Sequence, residues 1–232
     1  MHDPTEAKPR WERRKDARPQ ELLAAALDLF VSRGYAATRL EDVARSAGVS
    51  KGTLYLYFAN KEELFKAVVR DSIVQPIGEA ETDFAAGEGH SADLLRTLLM
   101  RWWDKVGATR ASGITKLMIA EAANFPELMQ FYNEEVIARG NALISNILAR
   151  GVARGEFRPV DPHVMMPVLT APVLMLMLWV QSPQLCAGAP LDPYAYLGAF
   201  IDNTLRGLRP PAAPEGAPYC MAAAPVPTLH NK

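Results

Sequence analysis

Gly48-Val49-Ser50-Lys51-Gly52-Thr53-Leu54-Tyr55-Leu56-Tyr57-Phe58 is, in order, a helix break, a capping serine and a short helix. Gly48 can take the positive φ that ends a helix, and the Ser50 hydroxyl can accept from a backbone N–H of the turn that follows. Upstream, Thr38-Arg39-Leu40-Glu41 has the capping-box form, in which Thr38 accepts from a backbone N–H and Glu41 bonds back to the cap's own N–H. The spacing predicts a helix from near Arg39, with Val43, Ala44 and Ala47 on its apolar stripe. Two short helices joined by a tight glycine turn make a helix-turn-helix.

At ~100° per residue the second of these helices sorts its side chains onto distinct faces. Leu54 and Phe58, four apart, form the inward stripe, while Gly52, Thr53 and Leu56 fall opposite and Tyr55 and Tyr57 flank them. An outward Leu is awkward in water but suits the DNA major groove, where apolar side chains touch thymine methyl groups. Gly52 permits close backbone approach, and the tyrosine hydroxyls can reach phosphates. The flanks agree with this reading. Leu22, Leu23, Ala26, Leu27 and Phe30 recur at helical spacing before Gly34, predicting a first helix of about three turns. Asn60 caps a further helix, with Glu62 and Glu63 in the first turn, where the macrodipole favours them, and Leu64, Phe65, Val68 and Val69 on its apolar face. Lys61 gains nothing from the dipole at that end and makes better sense as a phosphate ligand.

Residues 20 to 70 resemble the DNA-binding domain of the TetR/AcrR family of transcriptional repressors. The matching features are Glu21 through Phe30, then Arg33-Gly34-Tyr35, Ala37-Thr38, Val43-Ala44, Ala47 through Tyr55, Tyr57-Phe58 and Lys61 through Phe65, with no gap in the spacing. The resemblance implies DNA contacts at Ser50, Lys51, Gly52, Thr53, Tyr55, Leu56, Tyr57 and Lys61. At or beside position 39 the family often has a small hydroxyl residue; here Arg39 stands there, offering a cationic phosphate contact or none.

The chain has 232 residues, 49% of them apolar, enough for a large core and a second domain. Its net charge is −1, unevenly spread: residues 1–70 hold 13 Lys/Arg against 10 Asp/Glu, and the remainder 12 against 16. Much of the basic excess lies at Lys8, Arg10, Arg13, Arg14, Lys15 and Arg18, so residues 1–18 read as a basic flexible arm. Such an arm either follows the DNA backbone or minor groove or is simply a solubilising leader. Two cysteines, Cys186 and Cys220, without a pairing motif, point to a reducing compartment and away from a disulfide or zinc framework. The charged, Pro-containing start has no secretory pattern, so the expected location is cytoplasmic. Val164 to Val180 runs seventeen residues without a charge, but it is short for a ~20-residue span and carries Pro167 and Pro172. It is expected as a buried helix rather than a membrane segment.

Past residue 71 the periodicity stays helical to 208, and the whole chain is expected to be all-α. Ser91 can cap a helix bearing Leu94, Leu95, Leu98, Leu99, Trp102 and Trp103; Ile114, Leu117, Met118 and Ala122 define the next; and Pro126 opens a long one ending near Gly155. Asp161-Pro162 and Asp192-Pro193 each read as a cap followed by a first-turn proline. From 209 to 232, six prolines among Gly and Ala mark a disordered tail. Residues 19–70 thus form the helix-turn-helix domain and 71–208 a helical domain for ligand binding and dimerisation.

The helices of residues 162–181 and 193–208 carry more apolar surface than one small domain can hide, which predicts self-association. The resemblance implies the same, with the last two long helices pairing across a two-fold axis, a palindromic operator, and an inducer bound in this same domain. There Trp102, Trp103, Met118, Phe125, Met166 and Trp179 are the apolar pocket candidates, with Glu121 and Tyr132 as polar anchors beside Asn124 and His163. The resemblance further implies that ligand entry moves the helix beginning near Asn60. The expectation is therefore a homodimeric repressor released by a small lipophilic inducer, without cofactor, metal or membrane. Four scattered histidines, no Gly-x-Ser-x-Gly and no phosphate loop give catalysis no foothold. The competing expectation is a partner-controlled DNA-binding scaffold whose interior is filled by its own side chains.

Overall fold

The computed structural model describes residues 10–182, 184 and 191–211; the expected tail from 212 onward, residues 1–9, and both cysteines lie outside this set. All regular elements among the described residues are helical: α1 (Arg10–Arg33), α2 (Leu40–Ser46), α3 (Lys51–Tyr57), α4 (Lys61–Val69), α5 (Gln75–Ala86), α6 (Ser91–Trp102), α7 (Ser112–Glu121), α8 (Pro126–Tyr132), α9 (Ala138–Ala153), α10 (Pro162–Gln181) and α11 (Pro193–Leu208). Single π turns, Arg70–Val74, Trp103–Gly107 and Asn133–Ile137, join α4 to α5, extend α6, and join α8 to α9. The long helix expected from Pro126 is thus present as two α segments about a π turn.

Local chemistry accounts for several boundaries. Ser50 Oγ accepts from the Thr53 N–H (3.0 Å), Asn60 from that of Glu63 (2.8 Å), Asp161 from that of His163 (2.9 Å) and Asp192 from that of Tyr194 (3.0 Å). Gly34 and Gly48 take φ of 85° and 67°, where a side chain would be strained.

Four expectations are corrected. The capping box does not form. Arg39 holds the cap position of α2, the Thr38 hydroxyl donates instead to the carbonyls of Gly34 (2.8 Å) and Leu29 (3.2 Å), and Glu41 pairs with Lys51. Ser91 is the first residue of α6, not its cap; its N–H donates to Glu156 Oε2 (2.6 Å), so a carboxylate from beyond α9 does the capping. Residues 10–18, expected in the flexible arm, are helical and open α1; Arg, Lys, Glu and Ala favour helix there, against the cost of Pro19, which withdraws its N–H and crowds the preceding turn. α10 is half buried, not buried. Leu169, Val173, Leu176 and Met177 face the core, whereas Val164, Val168, Met175 and Val180 face outward.

The core runs unbroken from the helix-turn-helix into the second domain. Phe30, Tyr35 and Phe65 pack edge to face or stacked at 5.2–5.7 Å, and the Phe125 ring meets Tyr35 at 4.7 Å from the other side. α7 lies against α1, where Gly113 faces Val31 so closely that an added Cβ would overlap both valine methyls, and Arg110 Nε pairs with Asp28 (2.9 Å). Gly113→Val is therefore expected to pry this seam apart and cost about 1–3 kcal/mol in a urea melt; an unchanged midpoint would mean the seam is loose.

Candidate nucleic-acid interface and ligand cavity

α3 projects from the molecule with two unlike faces. Leu54 is fully buried on the side packed toward α2, while Leu56 is 83% exposed, and Tyr55 and Tyr57 are 43% and 38% exposed. Gly52 is exposed near the start of the helix, and a Cβ there would meet only the Ser50 hydroxyl, at an ordinary contact distance of 3.7 Å. The Thr53 hydroxyl lies 2.8 Å from Ser50 Oγ, so these two side chains form one polar unit at the tip. Lys51 reaches back to Glu41 of α2 (2.6 Å), with its ammonium 5.7 Å from the Tyr55 ring. That pair lowers the pKa of Glu41 and raises that of Lys51, chiefly through their shared hydrogen bond. Being exposed, it is weak and can yield Lys51 to a stronger anion. Arg39 is exposed at the α2 cap.

Lys61 sits differently. Its ammonium donates to the carbonyls of Tyr35 (2.9 Å) and Ala36 (3.2 Å) and stands 4.5 Å from the Tyr35 ring centre. Partial burial lowers its pKa. A cation at a helix start, unexplained by helix stability, thus has an intramolecular partner set: it ties α4 to the turn after α1.

A cavity of about 510 Å³ opens among α5, α6, α7, α8, α9 and α10, within the usual range for small-molecule sites. Of the residues named from sequence, Trp102, Met118, Tyr132 and Met166 line it, as do Met129 and Met177. The other four stand elsewhere. Trp103 is 1% exposed and folded over Gly107, one residue and ~100° of helix away from Trp102. Phe125 belongs to the seam with Tyr35, and Trp179 packs edge-on against Tyr196 of α11 (5.8 Å). Glu121 faces Gly34 at the same seam and accepts from Asn124 (3.0 Å). His163 is exposed at the start of α10.

Sequence reasoning missed Thr115, Asn141 and Thr170 on the wall. A signal existed: Asn141, Ile144 and Leu148 are spaced by three and four, placing a carboxamide on the inward stripe of α9.

Residues 22–68 match the family model described as bacterial regulatory proteins, tetR family, and residues 87–184 match a tetracyclin repressor-like C-terminal domain. The HTH-type transcriptional regulator RutR of Escherichia coli strain K12 is 30% identical over 204 residues, spanning 84% of this chain and 92% of its own. The HTH-type transcriptional repressor KstR2 of Mycolicibacterium smegmatis is 31% identical over 144 residues, 62% of this chain and 69% of its own. Among solved structures, the transcriptional regulator FadR from Bacillus subtilis, in complex with stearoyl-CoA, superposes with a TM-score of 0.64 at 20% identity. That match covers 82% of this chain and 99% of that one, and it is a likeness of fold.

Proposed function

The chain belongs to the TetR family of bacterial regulatory proteins, and from that premise we propose a homodimeric cytoplasmic repressor that leaves a palindromic operator when a small lipophilic ligand enters the cavity. The observation that carries the proposal is the two-faced α3, in which Leu54 anchors the helix while Gly52, Tyr55, Leu56 and Tyr57 stand clear of the core. In this reading Ser50, Lys51, Thr53 and Arg39 add contacts to the DNA backbone, and Lys61 positions the first turn of α4 beside it.

Dimerisation through the outer face of α10 together with α11 would hide Val164, Val168, Met175 and Val180. α10 is long and apolar enough by composition to cross a membrane, with a mean hydropathy of 1.9. A second copy of the same face covers that surface more simply than a bilayer does, because α10 packs its other side on α7 and α9. Two recognition helices would then meet successive major grooves.

Ligand would act along two routes. Ile77 and Ala80 of the cavity wall lie on α5, continuous through a π turn with α4. Thr115, Met118 and Ile119 lie on α7, with Ala122 just past its end, and the start of that helix is keyed to α1 by Gly113 and Arg110. A population shift of the DNA-binding domains requires ligand affinity to differ between the two states.

Gel retardation of DNA flanking the protein's own gene tests the proposal. A complex of two chains per site is expected at low salt, falling steeply as salt rises. Tyr55→Phe should weaken it by about 1 kcal/mol if the hydroxyl meets a phosphate. Absence of any complex at low ionic strength would remove the DNA-binding assignment.

A further inference from the structure

The wall of the cavity bears on the charge of what it can hold. Among the described residues no Asp, Glu, Lys, Arg or His lines it; its polar groups are the side chains of Thr115, Tyr132, Asn141 and Thr170 and the indole N–H of Trp102. Thr170 spends its proton on the Met166 carbonyl (2.9 Å). The hydroxyls of Thr115 and Tyr132 lie 3.0 Å apart, so one proton makes that bond and the second is left to donate. Burial raises the pKa of Tyr132, keeping it a neutral donor. The Asn141 carboxamide makes no hydrogen bond to another described residue, and it offers both a donor and an acceptor.

The cations that adjoin wall residues along the chain are already engaged. Arg139, next to Gly140 of the wall, is gripped by Glu81 (3.0 and 2.5 Å), Arg101, next to Trp102, pairs with Asp83, and Lys116, next to Thr115, donates to Ser182 Oγ (2.7 Å). The rim is apolar too, since Ile119 and Ile137 both line the cavity and meet solvent, at 54% and 39% exposure. A carboxylate or ammonium moved inside would lose its water and meet no counter-charge, whereas a carbonyl oxygen would meet a waiting hydroxyl.

We propose that the ligand is an uncharged lipophile bearing a carbonyl or ester oxygen, which accepts from the Thr115–Tyr132 hydroxyl pair or the Asn141 amide, and that the cavity rejects ionised forms of the same skeleton. This rests on the reading of the cavity as the inducer site. The test titrates the full chain with methyl dodecanoate, dodecanoate and dodecyltrimethylammonium, each below its aggregation concentration, following thermal shift and displacement of the uncharged dye Nile red. The ester is expected to bind saturably and at least about tenfold tighter than either ion. Tyr132→Phe combined with Thr115→Val, which removes both hydroxyl protons, or else Asn141→Leu, should weaken the ester by about fivefold to tenfold; no loss in either variant would overturn the proposal. Asn141→Lys, checked for folding by circular dichroism, should turn the preference toward dodecanoate. Dodecanoate binding as tightly as the ester to the unmodified chain, or no saturable ester binding, would overturn the proposal. Ester binding that leaves the operator complex intact would instead overturn the inducer reading while the charge rule stands.

Discussion

Val168→Asp is expected to yield a folded monomer and to weaken operator binding by at least about a hundredfold. Val168 is 50% exposed in the single chain, so a carboxylate there meets water and costs the fold of one protomer little. In the proposed dimer the same position lies in an apolar seam with Val164 and Met175, at spacings of four and seven along α10. A two-fold axis would place the new carboxylate there twice. Each buried, unpaired charge costs several kcal/mol, more than such an interface can absorb. Operator affinity falls with the dimer, because two half-sites bound by one rigid pair gain an effective concentration that separate chains lack. Light scattering gives the mass and gel retardation the affinity. A variant that keeps the dimer mass would move the interface off this face of α10 and take the palindromic operator argument with it.

What could be read from the chain divides along physical lines. Ser50, Asn60, Asp161 and Asp192 act on N–H groups two or three residues away, so their role is written in local spacing, and each caps the helix expected of it. Thr38 has the same local credentials, yet its hydroxyl turns to two carbonyls at the end of α1, an option that exists only once α1 and α2 have met. Ser91 lost its capping role to Glu156, sixty-five residues on, for the same reason. The cavity divides likewise. Trp102 and Trp103 are indistinguishable by composition, and only the rotation of α6 about its axis sends one to the void and the other into the core. Phe125 and Glu121 looked like ligand contacts because they are an aromatic and a carboxylate in the right domain; the fold uses them at the seam with the DNA-binding domain.

Leu54→Ala and Leu56→Ala should separate stability from DNA recognition within one helix. Leu54 is fully enclosed, and cutting it back to Ala leaves a cavity between α2 and α3 that short helices cannot easily close. The expected loss is about 2–5 kcal/mol, read from urea melts. A domain of marginal stability would then lose operator binding indirectly, through the unfolded fraction. Leu56, at 83% exposure, touches little in the free chain, so its truncation should shift stability by less than about 0.5 kcal/mol. If that side chain packs on thymine methyl groups, Leu56→Ala should still weaken the operator complex, by about 1–2 kcal/mol. The salt slope should not change, since no phosphate contact is lost. The two leucines thus carry opposite signatures, and a Leu56→Ala protein that binds its operator undiminished would mean that α3 presents a different edge to the groove.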